Sequence, residues 1–152
     1  MSRRQFQVIC PNLEVKAIIL TCFVDAGHAS DQKDRRSKTG ILIFLNKAPI
    51  HWYSKRQNVV EASAFGAEFC ALKMAVEMIE ALWYKLRMFG VPMDGAANVN
   101  CYNEAAYKNT SIPESVLKKK HHSIAYHRCR EAVAAKTIGG GRRILQVYLP
   151  KD

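Results

Sequence analysis

The stretch from Ile18 to Gly40 constrains this chain more than any other. It opens as Ile-Ile-Leu-Thr-Cys-Phe-Val, ends that apolar run in a single carboxylate, Asp25, and passes into a polar loop containing Asp34-Arg-Arg-Ser-Lys-Thr-Gly40. A run this rich in isoleucine, valine and phenylalanine predicts a central strand buried on both faces. A carboxylate at the end of such a strand falls at the rim of a sheet, where α/β proteins place their chemistry. A lone Asp after a strand is as readily a turn or helix cap. The stretch alone leaves both readings open.

The rest of the chain supplies elements to pack around that strand. Residues 17–24 read as the first strand, residues 26–39 as a polar loop and residues 41–45 as a second strand. Asn46-Lys47 is a turn signal, and Pro49 to Tyr53 makes a third strand with the proline at its start. From about Glu61 to Phe89, Phe65, Phe69, Leu72, Val76, Ile79, Trp83 and Leu86 recur at spacings of three and four. That is the apolar stripe of a long helix laid on a sheet. Glu68 sits beside this stripe, whereas Glu77 and Glu80 read as solvated. Gly90-Val91-Pro92 stops the helix. Residues 97–102 make a fourth strand and residues 103–109 a short helix. Residues 123–136 form a second substantial helix, with Ile124, Cys129 and Val133 on its apolar side, and residues 142–149 a last strand. Trp52 and Trp83 lie in apolar patterns and read as core. Residues 1–16, with weak periodicity, read as a leader or linker remnant before one domain spanning 17–149.

Composition narrows the class of partner. At 152 residues the chain is the size of one domain. No run approaches the ~18 apolar residues of a membrane span, and no signal-peptide pattern follows the charged N-terminus. An intracellular location and no membrane partner are therefore expected. Cys10, Cys22, Cys70, Cys101 and Cys129 are widely spaced, which fits neither a disulfide framework nor a zinc site. The net charge is +10, and from Lys118 to Lys151 nine lysines and arginines face one acid, Glu131. One-sided basic charge points to a polyanion, nucleic acid first.

Several motifs, in order along the chain, carry a resemblance. They are Phe23-Val-Asp-Ala-x-His-Ala29, Asp34-Arg-Arg-Ser-x-Thr-Gly40, Ala48-Pro-Ile-x-Trp-Tyr-Ser-Lys-Arg-Gln-Asn58 and Ser63-x-x-x-x-Glu68-Phe69. Ala81-Leu-Trp-Tyr-Lys-Leu-Arg-Met-Phe-Gly-Val-Pro92, Cys101-x-Asn-Glu104, Lys119-Lys-His121 and Tyr126-His-Arg-x-Arg-Glu131 follow. Together they resemble the ribonuclease H domain of copia-type retrotransposon Pol polyproteins over about residues 20–138. The resemblance implies an α/β fold with a mixed five-stranded sheet, three antiparallel strands followed by helix, strand, helix and strand. It implies an enzyme that uses two divalent metals, magnesium or manganese, to cut the RNA strand of an RNA–DNA hybrid. It also implies an upstream reverse transcriptase domain as a partner.

On this resemblance Asp25 matches the metal-bridging carboxylate and Glu68 the helix carboxylate. The third carboxylate belongs in a Cys-Asp-Asn triplet, which here is Cys101-Tyr102-Asn103. A phenol stays protonated to pH ~10, so Tyr102 brings no negative charge. The family's fourth carboxylate follows the last strand in a Leu-Ala-Asp-like helix, for which Leu145-Gln-Val-Tyr-Leu-Pro-Lys-Asp152 offers no match. The expectation is a degenerate or truncated copy with impaired catalysis and weakened metal binding. The alternative is a non-catalytic nucleic-acid-binding module on the same fold. Candidate contacts to nucleic acid are Arg35, Arg36, Ser37, Lys55, Arg56, Gln57, Ser63, Asn103, Lys118, Lys119 and Lys120. Such contacts would read backbone and groove shape rather than sequence.

Overall fold

A computed structural model of the chain describes residues 18–93, 95–101, 103 and 123–138. Six elements follow one another: β1 (Leu20–Gly27), β2 (Lys38–Leu45), β3 (Ala48–Arg56), α1 (Ala64–Met88), β4 (Asn98–Cys101) and α2 (Ser123–Ala134). The strands form one mixed sheet in the order β3-β2-β1-β4. β1 and β2 pair antiparallel, as do β2 and β3, while β1 and β4 run parallel. Ile138 makes a further parallel bridge to Ala97. The expected last strand, the short helix after β4 and the N-terminal leader lie outside the described residues.

Local chemistry explains each junction. Asn46 adopts a left-handed φ of 56°, which asparagine tolerates and a two-residue hairpin loop requires. Its amide donates to Ile19 O at 2.8 Å and its side-chain oxygen accepts from Ile19 N at 2.9 Å, tying the hairpin to the head of β1. Ser63 caps α1, its hydroxyl accepting from Gly66 N at 3.2 Å. At the other end Gly90, at φ 73°, lets its amide reach Arg87 O at 2.9 Å and lets Val91 N reach Leu86 O at 3.0 Å. This pair of bonds is the Schellman closure, and Pro92 follows it.

Among the described residues the core lies on one side of the sheet. Leu20, Cys22, Val24 and Ala26 of β1, with Ile41 and Ile43 of β2, meet the buried stripe Phe69, Leu72, Val76 and Ile79 of α1. Ala125, Tyr126, Cys129 and Ala132 of α2 complete it. Burying a side chain such as Phe69, which is fully covered, contributes about 1.5–3 kcal/mol. The free cysteines Cys22, Cys101 and Cys129 act as small core residues, while Cys70 is half-buried.

Four sequence expectations change here. β1 is central but alternates buried and exposed, with Phe23 39% exposed on the face away from the helices. Its apolar run reflects strand propensity as well as burial. Trp52, expected in the core, is 74% exposed, because β3 ends the described sheet and this residue is on the face that no described element covers. Ile124 is exposed as well; the buried side of α2 is instead Ala125, Tyr126, Cys129 and Ala132. Glu80 is buried, not solvated. It pairs with Arg128 of α2 and accepts from Thr137 Oγ1 at 3.1 Å, since α2 packs over that turn of α1. Glu77 is exposed and pairs with Lys73 at 3.5 Å, as a surface helix residue does.

Candidate functional site

Asp25 lies within β1, directly opposite Gly40 of β2, and its side chain is exposed on the open face. Glu68 comes from the first turns of α1 and is buried. The two residues approach from opposite sides of the sheet edge. Glu68 reaches the end of the strands, where the Ala26 amide donates to it and the Cys101 thiol lies 3.9 Å from its Oε2. Burial, then the negative charge of Asp25, push the Glu68 carboxyl up to about 7. Burial also pushes the Cys101 thiol up to about 11, so it stays protonated at neutral pH.

The donor set fits one hard cation. The Asp25 charge acts on Glu68, and among the described residues the influences on Glu68 are a carboxylate, an amide and a thiol but no lysine or arginine. Such a pair lacks positive charge, and a divalent ion with oxygen preference is the natural supplier. Among the described residues no cluster of three or more His, Cys, Asp or Glu could hold a metal. Tyr102 lies outside the described residues. By register, β1 and β4 are paired up to Val24 and Cys101.

No family model matches the chain. Over 128 residues, 84% of its length, it is 27% identical to the Retrovirus-related Pol polyprotein from transposon RE1 of Arabidopsis thaliana. Over 122 residues, 79% of its length, it is 31% identical to the corresponding polyprotein from transposon TNT 1-94 of Nicotiana tabacum. The chain spans only 8% and 9% of those polyproteins. A shorter match, 38% over 68 residues, is to Secreted RxLR effector protein 161 of Plasmopara viticola, covering 45% of this chain and 46% of that protein. Among solved structures, LC11-RNase H1 in complex with an RNA/DNA hybrid superposes with a TM-score of 0.58 at 16% identity, covering 78% of each chain. The N-terminal RNase H domain of a Mycobacterium tuberculosis protein gives 0.56 at 10% identity, covering 80% of this chain and 78% of that one. The chain is a ribonuclease H-fold homologue of copia-type Pol polyproteins.

Within this ribonuclease H-like domain, the residues expected to meet nucleic acid separate into surface and interior. Arg35 and Lys55 are exposed. Arg36 is half-buried and pairs with Asp34 at 3.2 Å, and Arg56 pairs with Asp31 at 3.0 Å and with Asp34 at 3.2 Å. Hydrogen bonds from the Lys33 amide and from Arg56 hold the Asp31 carboxyl below the usual range. Half of the expected basic loop is thus internally neutralised.

Ser37 and Gln57 are placed inside the protein. Ser37 is 0% exposed, and its hydroxyl accepts from Ala29 N at 3.1 Å. Gln57 is buried and donates to Thr39 Oγ1 at 3.0 Å and to Ala67 O at 2.9 Å. They brace the first loop and the entry to α1 rather than presenting to a ligand. The run Asp34-Arg-Arg-Ser-x-Thr-Gly40 is therefore largely a scaffold beneath Asp25. Ser63 spends its hydroxyl on the helix cap. The Asn103 amide donates to Cys101 Sγ at 3.5 Å. Lys118, Lys119 and Lys120 lie outside the described residues. Sequence reading passed over Lys38, which is exposed and shares the sheet face of Asp25, two positions away along β2 from Gly40. Strand parity counted from Asp25 would have found it.

Proposed function

We propose that this domain binds RNA–DNA hybrids over a divalent-cation site made by Asp25 and Glu68, and that its hydrolysis of the RNA strand is impaired. The observation carrying this reading is the Glu68 carboxyl, which burial and then the charge of Asp25 raise to about 7. Glu68 carries this penalty in its ionised form, which a bound cation would relieve. Kinship to retrotransposon Pol polyproteins and the ribonuclease H fold support hybrid as the ligand.

When bound, magnesium or manganese supplies positive charge to a phosphodiester oxygen and lowers the pKa of a water. The chain's own groups set the stage for that chemistry. Asp25 presents exposed oxygens at the sheet rim. Glu68 is held in place by the Ala26 amide, its mobility limited by burial. Tyr102 follows Cys101 where the family places a third carboxylate, and a protonated phenol contributes no charge there. Among residues 139–152 the single acid is Asp152. With Tyr102 in place of the third carboxylate, the site holds metal weakly and positions a second ion poorly.

A hybrid labelled on its RNA strand tests the proposal. The wild-type chain should bind it at low salt, with affinity falling steeply as salt rises, and should leave the RNA intact in magnesium. Cleavage abolished by Asp25→Asn would overturn the impairment. Isothermal titration should detect weak magnesium or manganese binding that Asp25→Asn removes, and no heat for either variant would overturn the metal site. Tyr102→Asp alone should add little cleavage, whereas the same change with an appended acidic helix should restore it.

A further inference from the structure

Register isolates one pair of opposite charges where β1 and β2 meet. Directly opposed residues share a face, and the pairing sets Asp25 against Gly40 and Gly27 against Lys38. Of these four positions, the two on one diagonal carry charged side chains and the two on the other carry none. Thr39 and Ile41, which alternate with Lys38 and Gly40 along β2, are buried, so Lys38 and Asp25 lie together on the face away from the helices, both exposed. Diagonal neighbours on paired strands are about 7–8 Å apart, within reach of a long side chain. Gly40 leaves the space between them open, since a Cβ there would meet Asp25 O at an ordinary 3.9 Å.

We propose that Lys38 is a determinant of metal affinity at the Asp25–Glu68 site, its ammonium offsetting part of the Asp25 charge and repelling an arriving divalent ion. The proposal rests on the metal reading above and names a residue besides Tyr102 that weakens the site. Two observations single out Lys38. Arg56, directly opposite it on β3, has its guanidinium taken up by Asp31 at 3.0 Å and Asp34 at 3.2 Å, so its charge is already answered. Among the described residues Lys38 has no such ion pair. An ammonium also cannot stand in for the ion. It carries one charge and three N–H donors, whereas a divalent ion draws several oxygens onto one centre. At about 7 Å in the dielectric of water, one unit charge changes divalent affinity about fivefold at an ionic strength of about 0.01 M and about twofold at about 0.15 M.

Isothermal titration of manganese into the full chain reads this effect directly, and the manganese-induced rise in Tm gives a second readout. Lys38→Met should tighten binding about fivefold at the lower ionic strength and about twofold at the higher, and Lys38→Gln should match it. Lys38→Glu, a change of two charges, should tighten it about twentyfold at the lower ionic strength. Lys38→Arg should stay within about twofold of wild type. Lys47→Met, in the turn at the other end of β2, should leave affinity unchanged, which separates a local field from net charge. Asp25→Asn should abolish the gain in the Lys38→Met background. If wild type binds manganese and both neutral variants bind it equally well or more weakly, this inference falls and the metal reading stands. Equal tightening by Lys47→Met, or tightening that survives Asp25→Asn, would also overturn it. If neither wild type nor any Lys38 variant binds the ion, both readings fall.

Discussion

Glu68→Gln should stabilise the metal-free domain, and the structure supplies the size of the effect. Burial and the charge of Asp25 raise the Glu68 carboxyl from 4.5 to about 7. At ~1.36 kcal/mol per unit, its ionised form is about 3 kcal/mol less favourable in the fold than in the unfolded chain. The unfolded chain releases this proton first as pH rises. Between pH 4.5 and about 7 the folded state binds more protons, so stability falls with increasing pH. The penalty is absent below that window and complete above it. Glutamine keeps the shape and can still accept from the Ala26 amide, but carries no charge. At about pH 8 the variant should gain about 2–3 kcal/mol, a rise in Tm of roughly 5–10 °C for a domain of this size. At about pH 4 the two proteins should melt together. Thermal or urea denaturation across the range, without divalent ions, measures the difference directly. Added magnesium should raise the wild-type Tm at the higher pH and leave the variant's unchanged, because binding stabilises only the state that holds the ion. A variant less stable than wild type at about pH 8, or a pH-independent gap between them, would refute the reasoning.

Three more predictions concern the scaffold under the site. Gln57→Ala removes donors to Thr39 Oγ1 and Ala67 O and should cost about 1–3 kcal/mol in urea denaturation, with weaker metal binding because the base of Asp25 loosens. Ser63→Ala deletes the α1 cap and should cost about 1 kcal/mol, while Ser63→Asp should be nearly neutral. Arg128→Ala leaves Glu80 buried with only the Thr137 hydroxyl among its described side-chain partners; a loss of about 3 kcal/mol is expected. The double variant Arg128→Ala with Glu80→Gln should recover much of it, and no recovery would mean that the pair is not the cause.

The sequence by itself determined the described elements and singled out the candidate site residues. Alternating β-branched residues, the Asn46-Lys47 turn, the Ser63 cap and the Gly90-Val91-Pro92 stop act within a few residues of themselves, so their consequences are local and legible. The apolar stripe of α1 announced which of its sides would be buried, because a helix repeats at 3.6 residues whatever it packs on. Asp25 and Glu68 stood out because a carboxylate bordering an apolar run needs a reason to be there.

What only the tertiary structure decided was which surfaces are covered. Ser37 and Gln57 look like surface polar residues in sequence, yet they are buried because the first loop and the entry to α1 fold over one another. Glu80 looks solvated until α2 brings Arg128 and Thr137 to it. Trp52 and Phe23 look like core until register places them on the sheet face that no described element covers. Burial is a property of two surfaces meeting. A residue's own neighbours in the chain fix its face, and the partner that face meets is set by long-range packing.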